Sequence, residues 1–513
     1  MDYLYPARPS TGVLIALFLI WIVYLVAIAI YRLYFSPIAK FPGPKLAALT
    51  KWYEFYYDVV LQGQFTFRIQ TMHKKYGPIV RITPFELHIE DSDYWDELYS
   101  RGTRYDRYEW MSGRFGANTM TFTTAKSDLH AIRRAPLNSM FSKRSIANFE
   151  PVIQEKVELM CKCISDFKET GEALVLSNAF NAYAGDVITE YCFGFCYKHL
   201  ESTGFKENFH RAFMAVSAFG HLALQFPMMH PIMNAFPDSV TEKMAPDLHM
   251  ILVLQKDLRI KIAKIISGED QSHTKSQHPT IFHELLESNL PPHEKSIDRL
   301  GDEAQLIIGA GLETTAWALT TISFHLISNP SILAKLRSEL EAAIPDPTAH
   351  LDSLFLEKLP YLSACIQEGI RLSYGVSSRN PRISPDKPTK YKEFVIPAGT
   401  PVSMTIIDVH HDEHIYPNSR SFIPERWLEN PKTENGANLN RYFVAFGKGA
   451  RSCLGINLAH AELYLAIASV FRRFSFELYD TDFSDIELKH DFFLPSPKLD
   501  SEGLRVKVTS VAE

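Results

Sequence analysis

The residues best suited to chemistry lie in a glycine-rich loop near the C-terminal end of the chain. The segment Phe446–Gly455 reads FGKGARSCLG, and its one cysteine, Cys453, precedes a helical pattern. Gly447 and Gly449 let the backbone turn tightly and approach the sulfur, while Arg451 adds positive charge. Backbone N–H groups, a helix N-terminus and a cation keep a shielded thiolate anionic, and such a thiolate can hold a haem iron. A buried structural cysteine is the alternative, because many free cysteines only pack.

A second group of reactive side chains lies inside a long helical pattern. The run GAGLETT, residues 309–315, places the acid Glu313 and the hydroxyl of Thr314 directly after small residues. Small residues remove side-chain bulk, so that a flat cofactor or dioxygen could approach the helix backbone. A threonine can also donate a hydrogen bond to a preceding carbonyl and open the helix locally. Helix packing through small residues, with an incidental acid, is the alternative.

These two patterns and two further motifs resemble those of the cytochrome P-450 family. The cysteine loop matches F-x-x-G-x-R-x-C-x-G, and residues 310–314 match A/G-G-x-D/E-T, each at every defined position. Glu368 and Arg371 lie three residues apart on one helix face, as in the family's paired-charge motif. Segment 422–427, FIPERW, is similar to the family's F-x-P-E-R-F. The departure is Trp427, which keeps an aromatic ring where the family has phenylalanine.

The resemblance implies a role for each motif. Cys453 would be the thiolate ligand of a haem iron, and its electron push would help to cleave the O–O bond. Glu313 and Thr314 would be the catalytic residues that relay protons. Arg426 would complete a buried network with the charged pair that begins at Glu368, because buried charges persist only when they are paired.

The resemblance further implies the residues that bind the haem carboxylates. The family's W-x-x-x-R is represented by His130, which keeps a ring N–H donor, and by Arg134. Arg379 and Arg451 match the other basic residues, which would form charge-assisted hydrogen bonds, although Arg382 lies close to Arg379. A surface charge is the alternative for each arginine. The expected haem-binding residues are Cys453, His130, Arg134, Arg379, Arg451 and Phe446.

Two other patterns suggest a zinc site but fit one poorly. His410 and His414 have i,i+4 spacing, yet the metalloprotease motif needs glutamate directly after the first histidine, where this chain has His411. Cys192 and Cys196 have no second pair of ligands, and the apolar residues between them favour a buried helix. The sequence therefore predicts one metal, the haem iron held by the loop cysteine, and no disulfides.

The N-terminal region predicts a membrane anchor. Residues 12–31 carry no charge and span about 30 Å as a helix, the thickness of a bilayer's hydrocarbon core. Basic residues follow the span, so the body is expected in the cytoplasm. We expect an anchor over residues 1–35, a proline-rich hinge over 36–50 and a haem-binding catalytic domain over 51–513, on the endoplasmic reticulum membrane with a single pass.

The remainder of the chain predicts a mainly α fold with small β-sheets (α+β). Residues 297–328 read as one long central helix that ends before Asn329-Pro330. Residues 77–82 and 86–89 predict two strands joined by a turn, and residues 392–404 also have strand character. The resemblance identifies this pattern as a single large haem-thiolate monooxygenase fold.

The resemblance implies a membrane-bound monooxygenase that hydroxylates or epoxidises an apolar small molecule with dioxygen. Because the chain carries no flavin or nicotinamide fingerprint, electrons would come from an NADPH-dependent flavoprotein reductase, docked on basic residues that include Arg133, Lys143, Arg144, Lys448, Arg472 and Arg473. The net charge of −6 does not favour a nucleic-acid partner. Further similarity to fungal secondary-metabolism members, such as trichodiene oxygenase-like enzymes, favours a terpenoid or polyketide substrate.

Two alternative functions remain open at this point. A haem-thiolate isomerase or dehydratase would need no external electrons, but the Glu313-Thr314 pair argues for oxygen activation. A haem-free, membrane-tethered binding protein would not need the complete cysteine loop. In either case, we expect the ligand cavity to be walled by apolar residues from four segments, 111–123, 205–236, 374–378 and 492–495.

Overall fold

A helix of 32 residues, Ile297–Ser328, carries Glu313 and Thr314. The hydroxyl of Ser296 caps its first turn by accepting a hydrogen bond from the Arg299 N–H, and the helix ends before Asn329. At 1.5 Å per residue the helix is about 48 Å long, enough to cross a large domain. The long central helix predicted from the sequence is confirmed at both ends.

The computed structural model describes residues 11–100, 102, 104–271 and 276–512. These ranges are mostly helical with small sheets, which confirms the expected fold class. The α-helices are α1 (Thr11–Ile30), α2 (Lys45–Leu49), α3 (Trp52–Phe55), α4 (Phe65–Tyr76), α5 (Trp95–Leu98), α6 (Ser127–Met140), α7 (Lys143–Thr170), α8 (Leu176–Phe193), α9 (His210–Gln225), α10 (Met229–Ala235), α11 (Asp238–Met244), α12 (Pro246–Ser267), α13 (Ile281–Glu287), α14 (Ile297–Ser328), α15 (Pro330–Ala343), α16 (Ser353–Leu356), α17 (Pro360–Ser373), α18 (Ile406–His410) and α19 (Ile456–Arg473).

Short strands form separate sheets beside this helical body. The largest sheet has the order β1-β2-β8-β5-β3, and the others are β4-β12-β9, β6-β7 and β10-β11. The strands are β1 (Ile79–Arg81), β2 (Leu87–Ile89), β3 (Asp106–Arg107), β4 (Leu174–Val175), β5 (Arg382–Ile383), β6 (Thr389–Tyr391), β7 (Phe394–Ile396), β8 (Pro401–Ser403), β9 (Phe474–Leu478), β10 (His490–Phe492), β11 (Leu494–Ser496) and β12 (Arg505–Val511). The two predicted early strands pair antiparallel, with Ile79 opposite Ile89.

The main hydrophobic core surrounds α14. Its small and branched residues pack against α8, and α12, α17 and α19 close around the other sides. A second cluster lies under the largest sheet and includes Ile38 and Phe41 from the segment between α1 and α2. The core therefore holds α14 in one position relative to the sheets.

The segment predicted to be a hinge packs against the body. Ile38 and Phe41 are each 4% exposed, and the Arg81 N–H donates a hydrogen bond to the Pro42 carbonyl at 2.7 Å. A Cβ on Gly43 would overlap the Arg81 carbonyl oxygen. The chain before this segment, Thr11–Phe35, is one helical stretch that is long and apolar enough to cross a membrane.

The histidines and cysteines of the rejected zinc patterns serve other purposes. His410 is buried, with Nδ1 2.8 Å from the Arg371 carbonyl oxygen, while its Nε2 accepts a hydrogen bond from the Val444 N–H at 3.1 Å. His414 has a 94% exposed side chain. Cys192 is buried near the end of α8, and Cys196 lies beyond that helix.

A fully buried charge network joins α17 to the segment around residue 425. The Glu368 carboxylate accepts two hydrogen bonds from Arg371, each at 2.8 Å, and one from Arg426 at 3.0 Å. Burial alone would raise the pKa of Glu368, but the two guanidinium groups outweigh it and lower the pKa. Arg371 also donates to the carbonyl groups of His410 and Ser419, so the network ties three segments together.

Trp427 takes part in this network, which its aromatic character alone does not predict. The indole Nε1–H donates a hydrogen bond to the second oxygen of Glu368 at 2.8 Å. Phenylalanine cannot make this bond, because it has no ring donor. The departure from the family pattern therefore adds a donor to the buried carboxylate.

We expect Trp427→Phe to destabilise the protein by about 1.5–3 kcal/mol, the usual contribution of a hydrogen bond to a charged group. Trp317→Phe is the matched control, because the Trp317 Nε1 has no hydrogen-bond partner in the described part of the chain. The free energy of unfolding of both variants is measured by chemical unfolding, followed by far-ultraviolet circular dichroism rather than by tryptophan fluorescence. Equal losses of stability would show that ring volume, rather than the bond to Glu368, accounts for the effect.

Candidate active site

The cysteine loop and the middle of α14 line the same cavity, whose volume is about 360 Å³. Cys453 and Phe446 come from the loop, and Ala310, Glu313 and Thr314 come from the helix. The two most reactive motifs of the sequence, about 140 residues apart, are therefore brought to one site by the packing of α14 and α19.

The loop geometry directs the Cys453 side chain into the cavity. Its backbone N–H donates a hydrogen bond to the Phe446 carbonyl at 2.7 Å, which closes the loop before α19 begins. Gly449 has φ of +76°, and a Cβ there would overlap the Tyr99 carbonyl oxygen, so glycine is required. Burial raises the pKa of the Cys453 thiol, whereas the Gly455 N–H and the Arg134 charge act in the opposite direction. Protein walls surround this sulfur, and its exposed surface faces the cavity.

The Thr314 hydroxyl bonds back along α14 without interrupting it. It donates a hydrogen bond to the Ala310 carbonyl at 2.7 Å, as the sequence suggested, but the helix stays continuous from Ile297 to Ser328. Because the hydroxyl proton is used in this bond, the oxygen's lone pairs are left to accept a hydrogen bond from the cavity.

The glycines of α14 fit the alternative given for them from the sequence, helix packing through small residues. A Cβ on Gly309 would lie 2.5 Å from the Phe213 ring, and one on Gly311 would lie 2.7 Å from Ile188. These glycines therefore allow α9 and α8 to pack closely on α14. Among the small residues of this turn, Ala310 is the one with large exposure to the cavity.

Glu313 is buried and contacts one other titratable side chain. Its Oε2 lies 2.9 Å from Nδ1 of His210, the first residue of α9, and its Oε1 has no hydrogen-bond partner among the residues that the structure describes. Sequence reasoning missed His210, because 103 residues separate it from Glu313 and no motif marks it.

Basic residues cluster at one edge of the cavity. The register of β3 against β5 places Arg107 directly opposite Arg382. Arg451 donates to the carbonyl groups of Thr124 and Ala125 at 2.7 and 2.8 Å, just before α6. The cavity-lining basic residues at this edge are Arg107, His130, Arg134, Arg382 and Arg451.

Three of these arginines have no ion-pair partner in the described ranges of the chain. Arg107, Arg382 and Arg451 form no ion pair there, and the Arg107 Nε has no hydrogen-bond partner. Burial, together with the neighbouring guanidinium charges, lowers the pKa of Arg451 to about 9 and that of Arg107 well below its usual value. The same two causes lower the pKa of His130 to about 3. A group with two carboxylates at this edge would remove the repulsion, which fits the two propionates of a haem.

Arg379 does not reach the cavity. Its guanidinium donates to Glu54 at 2.5 Å and to Glu86 at 3.1 Å in a fully protein-lined pocket. Burial alone would lower the pKa of Arg379, but these two carboxylates outweigh it and raise the pKa. Arg382, the neighbouring alternative, lines the cavity instead. Arg107 was missed, because the pairing of β3 with β5 is visible only in the fold.

The remaining walls are largely apolar. All four segments expected from the sequence contribute, through residues such as Phe115, Phe213, Val376 and Phe493. The Phe493 ring meets those of Phe115 and Phe122 edge-on, with centroids 5.1 and 5.5 Å apart.

Buried hydrogen bonds fix the position of Phe493. Its φ of +76° is unusual for a residue with a side chain. Asp491 holds this conformation by accepting hydrogen bonds from the Phe493 N–H and from the hydroxyl groups of Ser377 and Ser378.

Comparison with known proteins agrees with this geometry. Residues 42–502 match the family model for cytochrome P450. The chain is 58% identical over 512 residues to cytochrome P450 monooxygenase sdnE of Sordaria araneosa, covering 98% of this chain and 99% of that protein. It is 45% identical to tryptophan 6-hydroxylase fscE of Fusarium equiseti, covering 98% and 97% of the two chains. It is 42% identical to N-acetyltryptophan 6-hydroxylase ivoC of Emericella nidulans, with the same coverage of each.

The expected resemblance to fungal monooxygenases is therefore confirmed by several relatives that match nearly full length. Family members carry a haem whose iron is bound by a thiolate, and the cavity's cysteine and its cluster of arginines fit that group. The chain belongs to the cytochrome P450 family and is a haem-thiolate monooxygenase.

Proposed function

We propose that this monooxygenase hydroxylates or epoxidises an apolar small molecule. In this reaction Cys453 binds the iron, and Glu313 with Thr314 delivers protons. The observation that carries the proposal is the single cavity in which a loop thiol, an acid–alcohol pair and a cluster of arginines meet. A haem bound through a thiolate would provide the activation of dioxygen, which consumes two electrons and two protons.

The chain's own residues would prepare the site for this chemistry. His130, Arg134, Arg382 and Arg451 would hold the two haem carboxylates by charge-assisted hydrogen bonds, with Arg107 beside them. Thr314 would hold a water through its lone pairs, and Glu313 would supply that water with a proton. The aromatic contact of Phe493 with Phe115 and Phe122 would exclude further water and orient the substrate.

The apolar walls support a substrate such as a terpenoid or a polyketide. Two relatives are named for the 6-hydroxylation of tryptophan and N-acetyltryptophan, so these indoles belong in the same screen. Binding of the true substrate should displace water from the haem and shift its absorbance. Purified protein is titrated with each compound, and compounds that shift the spectrum are incubated with NADPH and a reductase. Turnover without NADPH would favour the isomerase or dehydratase alternative.

The electron donor is proposed to be an NADPH-dependent flavoprotein reductase. Two of the basic residues considered for docking are unsuitable, because Arg133 pairs with Glu294 at 2.8 Å and Arg473 pairs with Glu158 at 2.6 Å, each largely buried. Lys143 and Arg144 at the start of α7 are exposed, and Lys143 keeps a 71% exposed side chain although it lies 3.5 Å from the Glu357 carboxylate. They support a docking surface there for an acidic partner.

We expect Cys453→Ser to abolish monooxygenase activity, because a neutral hydroxyl is a poor iron ligand and lacks the electron push of a thiolate. The reduced wild-type protein with carbon monoxide should show the red-shifted Soret band of thiolate-ligated haem. A variant that keeps this band would exclude Cys453 as the ligand. Cys365→Ser, which alters a buried cysteine of α17, is the control and should leave the band unchanged.

Arg382→Gln should speed haem loss about tenfold, which corresponds to a lost interaction of about 1.4 kcal/mol. The substitution removes one charge-assisted hydrogen bond to a haem carboxylate. Transfer of haem to apomyoglobin measures the rate of haem loss. Arg379→Gln is the matched comparison, because Arg379 is balanced by Glu54 and Glu86. It should chiefly lower the unfolding midpoint, since it leaves buried carboxylates unpaired. Faster haem loss in Arg379→Gln, with no change in Arg382→Gln, would show that Arg379 is the haem-binding residue.

The localisation proposed is the endoplasmic reticulum membrane, with residues 1–35 as the anchor and the catalytic domain in the cytoplasm. Deleting residues 1–30 should release the protein from microsomes with its haem spectrum intact. This boundary keeps Arg32, which donates to the Leu49 carbonyl at 2.5 Å. Deleting residues 1–34 is the comparison, and it should also lower the unfolding midpoint.

Sedimentation after a high-salt wash measures the release. A truncated protein that still pellets would refute the anchor as the sole attachment. It would point to a second apolar surface formed by Trp52, Met228 and Phe236, whose exposed fractions are 61%, 64% and 47%.

A further inference from the structure

The buried carboxylate of Glu313 has a path to the surface through one side chain. Glu313 has a 4% exposed side chain and lines the cavity, whereas the His210 side chain that contacts it is 38% exposed. The two groups are 2.9 Å apart, within hydrogen-bond distance. A single imidazole therefore separates the cavity's acid from solvent.

The position of His210 is held by its backbone. It is the first residue of α9, and its N–H donates a hydrogen bond to the Asn208 side chain at 3.0 Å. Asn208 is in turn tied to the Phe205 carbonyl at 2.8 Å. The imidazole ring can rotate about its side-chain bonds while the start of α9 stays fixed.

The charges around His210 favour a protonated ring. Glu313 is the charged group that faces it from α14, while Arg211 on its own helix pairs with Asp247 of α12 at 3.1 Å. Burial alone would lower the pKa of His210, but the charge and hydrogen bond of Glu313 outweigh it and raise the pKa. The ring therefore keeps its proton to a higher pH than a free imidazole does.

We propose that His210 is the proton donor that recharges Glu313 from solvent during turnover. The inference rests on the proposed role of Glu313 in proton delivery. In the transfer, the Nδ1–H bond of the imidazolium breaks and an O–H bond forms at Oε2 of Glu313, which leaves a neutral imidazole and a carboxylic acid. Rotation of the ring then exposes Nδ1 to bulk water, which returns a proton to it, and the reverse rotation presents that proton to Glu313 again. No electron donor is needed for this step.

A merely structural contact between α9 and α14 is the competing explanation. His210→Asn separates the two, because the asparagine amide can place a neutral N–H donor near the position of Nδ1 but cannot carry a proton. Arg211→Gln is the matched control on the same turn, since it removes a charge that does not contact Glu313.

The first test measures protonation without turnover. The full chain with haem, in a lipid nanodisc, reduced and bound to carbon monoxide, is labelled with ¹⁵N-histidine. The His210 signal is identified by its loss in His210→Asn. Its pKa should lie above about 6.5, the value of a free imidazole, and should fall in Glu313→Gln. A His210 pKa that is unchanged by Glu313→Gln would overturn the proposal.

The second test follows the fate of electrons. With reductase, NADPH and dioxygen, His210→Asn should slow NADPH consumption about a hundredfold, at the lower end of what positioned acid–base groups contribute, and should change the solvent isotope effect in D₂O. Arg211→Gln should match the wild type in both readouts. Equal rates and isotope effects in His210→Asn and the wild type would also overturn the proposal.

Thr314→Ala separates failure of this inference from failure of the proposed function. If Thr314→Ala raises the share of electrons recovered as hydrogen peroxide, the proton path through α14 operates, and an unchanged His210→Asn then rejects only His210. If neither Thr314→Ala nor Glu313→Gln alters that share, the proposed role of α14 fails, and the role of His210 fails with it.

Discussion

The repulsion among buried guanidinium groups is the constraint on which the active site depends. Arg107, Arg382 and Arg451 converge on one edge of the cavity with no carboxylate in ion-pair distance among the described residues. Burial lowers the pKa of Arg107, Arg382 and Arg451, and the neighbouring guanidinium charges lower the pKa of Arg107 and Arg451 further. Such a cluster is favourable only with a bound anion, so the fold is completed by its cofactor. The β3–β5 pairing and the end of the cysteine loop both serve to place these charges.

Other buried arginines in the same protein are paired with carboxylates of the protein itself. Arg371 is matched by Glu368, and Arg379 is matched by Glu54 and Glu86. These groups satisfy one another inside the protein and therefore act on stability rather than on binding. Comparing the two kinds of arginine distinguishes a structural charge from a ligand-binding charge more clearly than sequence position does. Arg379 and Arg382 are only three positions apart, yet they belong to different kinds.

The side of the cavity formed by α14 combines rigidly packed residues with titratable side chains. Close packing of α8 and α9 against the glycines of α14 fixes the helix that carries Thr314. Hydrogen bonds to Asp491 fix the aromatic residue that covers the site. Between these rigid parts, His210 and Glu313 form a pair that can exchange a proton. Proton transfer therefore requires side-chain motion at one position and little change elsewhere.

The sequence by itself determined the family, the cofactor and the long helix. The motif around Cys453 and the one around Thr314 are local, because a tight loop and a run of small residues need particular residue types at fixed spacing. Helix α14 was equally predictable, since a capping serine and the Asn-Pro stop are encoded beside its ends. The helix that is able to cross a membrane followed from the length of one uncharged segment.

Only the tertiary structure decided which distant side chains meet. The choice of Arg382 over Arg379 depends on the register of β3 against β5, and two-residue strands have no recognisable sequence pattern. The contact between His210 and Glu313 depends on where α9 crosses α14. The role of Gly309 depends on the Phe213 ring that packs over it. Each of these contacts joins residues far apart in the chain, and local spacing carries no information about such pairings.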